Sequence, residues 1–353
     1  MLMAGSFHPA IAPFNSLPSG SRSGRLQPLR PGMRRRSRLH GRSRVRLPQA
    51  APLSSSLPRK RRRLGLAIAA ALADAGLPAG VLNVVFGNPA LISRTLLQSP
   101  ITRGLTFTGS TEVGKQLGAM AVQTMKRMTL ELGGHAPVLI FGDVDPEAAA
   151  VSAAAAKFRN AGQVCTSPTR FFVHESIHDR FAATLSELAD AIVVGDGFQA
   201  TTRMGPLAHE RRVESMERFV DDARARQIRV AAGGRRCGHQ GFFYRPTVLS
   251  RADEACLASN VEPFGPLAAT APFRDLDDAI RLANRLPFGL ASYVMTHDLR
   301  NASAVSEALQ SGNVVVNHWQ ASLPETPFGG HKDSGIGSEG GIEGLQESRR
   351  SNM

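Results

Sequence analysis

From residue 64 onward, helix-forming and strand-forming segments alternate along the chain, and this alternation restricts the fold more than any other feature of the sequence. An Ala- and Leu-rich run at 64–75 predicts a helix, and the apolar run at 81–86 predicts a short buried strand. A helix at 89–98, a strand at 104–108 and a helix at 111–124 are predicted next. Parallel strands need long connections that are usually helical, so this order predicts an α/β fold in which helices cover a parallel sheet.

The second half of the chain continues the same order of elements. Helices are predicted at 146–160, 177–192, 210–227, 276–286 and 302–309, and strands at 171–174, 228–232, 292–295 and 313–317. No repeat of fixed period is visible, which argues against a solenoid. With 353 residues, the chain has room for two ordinary domains.

Composition excludes several classes of protein. A hydrophobic fraction of 42% supports a packed core, and no apolar run reaches the roughly 18 residues of a membrane span. The three cysteines, Cys165, Cys237 and Cys256, are too few and too scattered for a disulfide framework, and the CxxC and HExxH metal motifs do not occur. We therefore expect no metal and no membrane partner. One Trp and two Tyr also argue against an aromatic surface for stacking nucleic-acid bases.

The positive charge of the chain is confined to its first 63 residues. Fifteen of the 42 Lys and Arg residues lie there and no acidic residue does, so the remainder has 27 cations against 29 acids, a net charge of −2. This Arg-, Ser- and Pro-rich segment has no helical or strand period, which predicts a disordered tail. A transit peptide, a nucleic-acid-binding arm and a nuclear signal are possible interpretations. We favour a misassigned start, or sequence translated from another reading frame. We expect a cytoplasmic protein, or a mitochondrial one if the tail is a transit peptide.

Two glycine-containing segments resemble phosphate-binding turns, and their contexts differ. The segment at 107–114, FTGSTEVG, joins a predicted strand to a helix that Ser110 or Thr111 would cap. N–H groups and the positive dipole at a helix start favour an anion, although an ordinary capped helix shows the same pattern. The segment at 335–340, GIGSEG, fits GxGxxG by letter. It follows no predicted strand and opens no long helix, so we interpret it as a glycine loop.

Three further segments carry residues that are capable of chemistry. Glu131 lies between apolar neighbours in LELGG, and burial raises a carboxyl pKa toward the range of a general base. Cys165 follows a predicted helix within GQVC, where small and polar neighbours make it a candidate nucleophile. Considered alone, each of these two residues is more typical of a structural role. In EPFGP, Glu262 is suited to accept hydrogen bonds from sugar hydroxyls, and Phe264 to pack on a flat ring.

Taken in order, FTGSTEVG, LELGG, GQVC, EPFGP and PFGGHKDSG resemble the motifs of the NAD(P)-dependent aldehyde dehydrogenase superfamily. Glu131 and Cys165 are 34 residues apart, as in that family. The resemblance covers about residues 64–346. It implies an aldehyde dehydrogenase-like α/β fold with part of a Rossmann-type cofactor domain at 64–131 and a catalytic domain with a parallel sheet at 132–330. The segment at 331–353 would be a truncated oligomerisation region.

The resemblance implies an enzyme that oxidises an aldehyde to a carboxylic acid with NAD or NADP. Cys165 would attack the aldehyde, form a thiohemiacetal and then a thioester, and donate its backbone N–H to the oxyanion. Glu131 would activate the water that hydrolyses the thioester. The cofactor would be bound by residues of three motifs: Gly109, Ser110, Thr111, Gly114, Leu132, Glu262 and Phe264.

Two residues bear on the substrate. Arg159 stands six residues before Cys165 and is similar to an arginine of the succinate-semialdehyde dehydrogenase branch that binds the distal carboxylate of the substrate. A guanidinium suits such an anion, which implies succinate semialdehyde or a similar short acidic aldehyde. The alternative is an arginine that only caps the preceding helix. Ser322, in the loop before PFGG, is a second candidate contact.

The chain departs from the family pattern at both ends. A Pro-Trp-Asn segment, whose asparagine is the second oxyanion donor in the family, and a Lys-Pro segment, whose lysine binds the adenosine ribose, do not occur in residues 1–63. From Gln346 onward, QESRRSNM stands in place of a closing strand. We therefore expect an N-terminally truncated or replaced chain, for which an inactive remnant is the alternative to an enzyme. Relatives form homo-oligomers through the parts that are altered here.

Overall fold

The structure, a computed structural model, describes the backbone of residues 3–4, 51–54 and 59–348 and the side chains of residues 65–347. Most of the tail predicted to be disordered, and the last five residues, lie outside this part. The described strands are β1 (Met3–Ala4), β2 (Ala51–Ser54), β3 (Leu82–Val85), β4 (Gly104–Thr108), β5 (Arg127–Glu131), β6 (Ala136–Ile140), β7 (Pro168–His174), β8 (Arg229–Ala232), β9 (Thr247–Ser250), β10 (Leu267–Phe273), β11 (Phe288–Gly289), β12 (Ala291–Met295), β13 (Asn313–Val316), β14 (His331–Lys332) and β15 (Gly335–Ile336).

The described helices connect these strands. They are α1 (Arg59–Asp74), α2 (Pro89–Gln98), α3 (Thr111–Val122), α4 (Pro146–Phe158), α5 (His178–Ala191), α6 (Glu210–Ala225), α7 (Leu257–Asn260), α8 (Leu276–Asn284), α9 (Leu299–Ala308) and α10 (Gly341–Ser348), with a 3₁₀ turn at Arg159–Gly162. In the part of the chain that the structure describes, no helix combines the length and the apolar character that crossing a bilayer requires.

The strands form two main sheets, and both are largely parallel. The first has six strands in the order β15-β5-β4-β1-β2-β3, and only the pairing of β15 with β5 is antiparallel. The second has seven strands in the order β13-β12-β6-β7-β10-β9-β8, with only β8 and β9 antiparallel. The predicted α/β fold with parallel sheets is therefore confirmed.

The glycine segment at 335–340 differs from the loop that its sequence suggests. Its first two residues form β15, in which Gly335 pairs with Glu131 and Ile336 with Leu130. A Cβ atom at Gly335 would lie 2.3 Å from the carbonyl oxygen of Leu130. Glycine therefore permits this close pairing, and the pairing brings the C-terminal part of the chain against the end of β5.

Helix α3 is held against the first sheet by one apolar face. Its buried positions Gly114, Leu117 and Ala121 recur at helical spacing and face the apolar cluster that contains Leu132. A Cβ atom at Gly114 would lie 2.2 Å from a methyl carbon of Leu132. Because α3 follows β4 directly, its N-terminus lies at the carboxyl edge of the parallel strands, where α/β folds bind their ligands.

Candidate functional site

Cys165 follows a turn of unusual backbone conformation. Helix α4 ends at Phe158, and the 3₁₀ turn then places Asn160 and Ala161 at φ of 53° and Gly162 at φ of 67°. Left-handed conformations are costly for residues with a Cβ atom, and they are found where the surrounding structure enforces them. Here the Asn160 side-chain amide donates to the Gln163 carbonyl at 3.0 Å, and Gln163 Oε1 accepts from the Ala208 N–H at 2.9 Å.

The turn before Cys165 also packs against the segment that contains Glu262. A Cβ atom at Gly162 would lie 2.1 Å from the carbonyl oxygen of Gly265. A Cβ atom at Gly134 would lie 3.0 Å from the carbonyl oxygen of Cys165 itself. Glycines therefore allow three loops to meet around the cysteine, with their backbones in direct contact.

We expect the Gly162→Ala substitution to lower the free energy of unfolding by about 1–3 kcal/mol and to lower turnover as well, because the new methyl group must displace one of the two loops. Gly205→Ala is the matched control, since a Cβ atom there would meet nothing within 4 Å. Urea unfolding of the two variants measures the difference. Equal unfolding free energies would show that the two loops separate without cost.

The thiol of Cys165 is half-buried and lies in an electronegative environment. Burial, followed by the charges of Glu262 and Glu131, raises its pKa to about 11. The Tyr293 hydroxyl donates to the carbonyl oxygen of Thr166, the next residue, at 2.7 Å. These interactions place Cys165 within electrostatic reach of both carboxyl groups that the sequence singled out.

Glu131 is the last residue of β5 and only 3% of its surface is exposed. Its backbone is fixed, because its carbonyl oxygen accepts from the Gly109 N–H at 3.0 Å. In the described part of the chain, neither of its carboxyl oxygens has a hydrogen-bond partner. Burial, and secondly the charge of Glu339, raise its pKa to about 8. A buried carboxyl group with both oxygens unpaired is costly to maintain, which is typical of a functional position.

Glu262 links the β5–β6 turn to the start of α3. Its Oε1 accepts from the Gly134 N–H at 3.3 Å. A Cβ atom at Gly133 would lie 2.7 Å from its Oε2 and 3.2 Å from the Thr111 hydroxyl oxygen. Burial raises the pKa of Glu262 to about 7, and the Gly134 N–H, Arg212 and Lys157 act in the opposite direction.

The other residues predicted to bind the cofactor lie around the start of α3. The Ser110 hydroxyl is engaged as the N-cap and accepts from the Val113 N–H at 3.4 Å. The Thr111 hydroxyl is buried, and it has no partner among the described residues. Leu132 is 5% exposed, its side chain packs against Gly114, and its N–H donates to the Ser334 carbonyl at 2.9 Å. The turn therefore offers the N-terminus of a helix and a hydroxyl that is unpaired among the described residues, whereas the Leu132 side chain faces the core.

Phe264 has a strained backbone, and its ring lies close to a cation. Its φ is 42°, a left-handed conformation. The guanidinium carbon of Arg212 lies 5.7 Å from the centre of its ring, within the range of a cation–π interaction. The Arg212 Nη1 also donates to the Pro263 carbonyl at 3.4 Å.

The two candidate substrate residues are in different positions relative to Cys165. Arg159 is exposed at the start of the 3₁₀ turn, and its charge acts on buried Tyr293, whose hydroxyl bonds the residue after Cys165. Ser322 is exposed in the loop after β13. No hydrogen bond in the described part of the chain joins Ser322 to Cys165, and its carbonyl oxygen accepts from the Gln320 side chain at 3.5 Å.

Sequence reasoning missed four residues of this site, which are Lys157, Arg212, Tyr293 and Glu339. Lys157 is fully buried although it carries an ammonium group, and it stands at the end of an alanine run that predicts only a core helix. Its position two residues before Arg159 was the only available signal. Arg212 and Glu339 are remote in sequence from the motifs that they face, so no local pattern reveals them. Among the described residues, no cluster of three or more His, Cys, Asp or Glu is placed to bind a metal ion.

Comparison with known proteins identifies similar chains. The profile of the Aldehyde dehydrogenase family matches residues 60–352. The chain is 43% identical to the mitochondrial succinate-semialdehyde dehydrogenase of Oryza sativa subsp. japonica, over 80% of this chain and 54% of that protein. It is 40% identical to the succinate-semialdehyde dehydrogenase [NADP(+)] of Escherichia coli (strain K12), over 80% of this chain and 58% of that protein.

The fold is similar to solved structures as well. The crystal structure of succinate-semialdehyde dehydrogenase from Burkholderia pseudomallei superimposes with a TM-score of 0.81 at 39% identity, over 84% of this chain and 61% of that one. The chain thus spans a little over half of the length of the relatives that it matches, 54% and 58% of the two enzymes above.

Proposed function

The chain belongs to the aldehyde dehydrogenase family, and on that premise we propose that it oxidises an acidic aldehyde to the carboxylic acid with NAD⁺ or NADP⁺. One observation carries the proposal. Cys165, Glu131 and Glu262 lie on three separate segments of the chain, and both carboxyl groups are within electrostatic reach of the Cys165 thiol. A thiol, a water-activating carboxyl group and an acceptor for ribose hydroxyls are the groups that this reaction requires.

Cys165 is the proposed nucleophile. Its sulfur, as the thiolate, attacks the aldehyde carbon and forms a tetrahedral thiohemiacetal whose oxyanion accepts the Cys165 backbone N–H. NAD⁺ or NADP⁺, when bound, supplies the hydride acceptor for the oxidation of this adduct to a thioester. The carboxylates of Glu131 and Glu262 oppose thiolate formation, so the resting residue is a thiol in this structure.

Glu131 is the proposed base for hydrolysis of the thioester. Its pKa of about 8 means that the carboxyl group is mostly protonated near neutral pH and becomes a carboxylate as the pH rises. Its unpaired oxygens are free to accept a proton from water. The resulting hydroxide attacks the thioester carbon and the C–S bond breaks. The carboxylic acid is released, and Cys165 returns to the free thiol.

The residues at the start of α3 fit the proposed cofactor. The unpaired Thr111 hydroxyl lies beside the Gly133 backbone, where a Cβ atom would meet Glu262 at 2.7 Å. Glycine at 133 therefore leaves space between a hydroxyl donor and a carboxylate acceptor. Gly109, Ser110 and Gly114 would meet the pyrophosphate through backbone N–H groups. Glu262 would bind the nicotinamide ribose, and Phe264 would pack on the nicotinamide.

Arg159 would bind the acidic group of the substrate, and succinate semialdehyde is the first candidate because two of the relatives above carry its name. Ser322 would be a second, weaker contact. Two observations support this role: Arg159 is exposed to solvent, and its charge acts on Tyr293.

We expect Arg159→Met to lower kcat/KM for succinate semialdehyde by roughly 10- to 150-fold. This range corresponds to about 1.5–3 kcal/mol, the contribution of a hydrogen bond to a charged group. The kcat/KM for butanal, which has no carboxylate, should not change. Arg94→Met, at an exposed arginine of α2, is the control. A parallel fall with both aldehydes would assign Arg159 to the stability of the cysteine turn.

The proposed function is tested by incubating the purified chain with NAD⁺ or NADP⁺ and each aldehyde, and following NAD(P)H absorbance. Aldehyde-dependent NAD(P)H formation with stoichiometric acid product supports the proposal. A chain that melts cooperatively and produces no NAD(P)H with either cofactor contradicts it.

A further inference from the structure

Two basic residues from different helices act on Glu262. Lys157 is in the last turn of α4, and Arg212 is in the first turn of α6. The charges of both act on the Glu262 carboxylate. Neither cation forms a close ion pair with it in the described part of the chain, so the carboxylate keeps its oxygens available while two positive charges favour its ionised form.

Lys157 lies where the cysteine turn meets the segment at 262–265. Its side chain is fully buried, and its Nζ donates to the Ser167 hydroxyl at 3.2 Å, its one hydrogen bond among the described residues. A Cβ atom at Gly162 would lie 3.0 Å from this Nζ and 2.1 Å from the Gly265 carbonyl oxygen. A buried ammonium group with a single partner is costly for stability. Its position beside both loops indicates a functional reason for that cost.

Arg212 contacts the same segment from the opposite side. Its guanidinium donates to Pro263 and lies over the ring of Phe264. Met216, one helical turn further along α6, contacts Gly265, because a Cβ atom there would lie 2.5 Å from the Met216 sulfur. Two residues of one face of α6 thus hold the segment whose middle residue, Phe264, has a left-handed φ.

We propose that Lys157 and Arg212 are positioning residues for Glu262, which hold its segment in place and supply positive charge beside its carboxyl group for binding of the nicotinamide ribose, without contacting the cofactor themselves. The inference rests on the proposed function, since it concerns the same cofactor site. Removing either cation takes away a charge that stabilises the carboxylate. Glu262 then holds a proton at neutral pH, and a protonated carboxyl group is a weaker acceptor for two ribose hydroxyls.

The groups that face Glu262 come from every segment packed around it. They are the Gly134 N–H, the Cys165 thiol, Lys157 and Arg212. The positive charges of Arg211 and Arg218, which lie on the same helix, act on Arg212. Lys157 and Arg212 are the basic groups next to Glu262. Burial lowers the pKa of Lys157 to about 7 against the opposing charge of Glu262, so Lys157 titrates in the same pH range as Glu262 and Arg212 is the permanent cation. The two substitutions remove these two charges one at a time.

The first experiment titrates Glu262 directly and needs no cofactor. Protein labelled with ¹³C at the glutamate carboxyl carbons is followed by NMR between pH 5 and pH 10, and the Glu262 signal is assigned by its loss in Glu262→Gln. We expect the midpoint of Glu262 to rise by about one pH unit in Arg212→Met, and to rise also in Lys157→Met. Arg211→Met removes an exposed neighbouring charge and should leave the midpoint unchanged. Unshifted midpoints in both test variants would overturn the inference.

The second experiment measures the dissociation constant for NAD⁺ by calorimetry at the same pH values. A rise of the Glu262 midpoint from about 7 to about 8 would weaken binding roughly fivefold at pH 7 and hardly at all at pH 9. Recovery at high pH distinguishes a charge effect from a damaged fold, and a loss that is constant with pH would overturn the inference. In the Glu262→Gln background, Arg212→Met should cost almost nothing more. If the midpoints shift in the variants but the wild-type chain binds no NAD⁺, the results support the charge coupling and contradict the proposed function.

Discussion

Replacing Cys165 with alanine is expected to lower aldehyde-dependent NAD(P)H formation by at least about 10⁴-fold, the scale seen when the nucleophile of a covalent mechanism is removed. The variant has no sulfur to attack the aldehyde, so neither the thiohemiacetal nor the thioester forms. The effect should appear in kcat, and aldehyde should no longer label the protein. Stopped-flow absorbance and mass spectrometry of the quenched protein measure the two results.

The other two cysteines provide the control for this prediction. Cys237 is half-buried and Cys256 is buried, and both lie outside the site formed by Glu131, Glu262 and Cys165. Cys237→Ser should therefore retain wild-type turnover. Covalent labelling that persists in Cys165→Ala and disappears in Cys237→Ser would contradict the assignment of the nucleophile.

Glu131→Gln is expected to slow steady-state turnover by roughly 10²- to 10⁴-fold, the contribution of a general base. The first turnover should remain fast, because attack by Cys165 and oxidation of the adduct do not require Glu131. A burst of one NAD(P)H per site, followed by accumulation of the thioester, is the expected signature. In the wild-type chain, hydrolysis should accelerate as the pH rises through about 8, where the Glu131 carboxyl group ionises.

The stability of Glu131→Gln shows whether the variant is folded. The pKa of Glu131 is raised from its ordinary value to about 8, so the folded wild-type chain keeps a proton that the unfolded chain releases. Wild-type stability contributed by this group therefore falls as the pH rises from about 4.5 to about 8. Glutamine does not titrate, so the variant should gain stability relative to wild type over that window. Glu187→Gln, at an exposed site, should show neither the burst nor the stability gain, and loss of the burst in Glu131→Gln would contradict its role in hydrolysis.

Elements with strong local signals could be predicted from the sequence. Helix α2 and strand β4 have the bounds that the sequence indicates, 89–98 and 104–108. Asn88 caps α2 through its side chain and Pro89 begins it, which are local features that any fold would retain. Strands β6 and β10 were not predicted, because a continuously buried strand shows no alternation of apolar and polar residues.

The candidate site divides in the same way. Short motifs were enough to predict three residues of the site, because each of these motifs contains glycine or proline residues. The three residues are Glu131, Cys165 and Glu262. Lys157 and Arg212 could not, since they lie on two helices that are distant in the chain, and only the fold brings both charges to act on Glu262. Leu132 shows the converse. Its motif predicts a place in the cofactor site, which stays a prediction, and only the tertiary structure shows that its side chain packs against Gly114.

The sequence by itself determined the order of helices and strands, the parallel arrangement of the sheets and the residue types available for chemistry, because these follow from local periodicity, caps and short motifs. Only the tertiary structure decided which charges face one another, that Glu131 is buried with unpaired oxygens, and that β15 closes against β5. Burial and Coulomb interaction depend on distance in space, and the chain sets that distance only when the loops around Gly134, Gly162 and Gly265 have packed together.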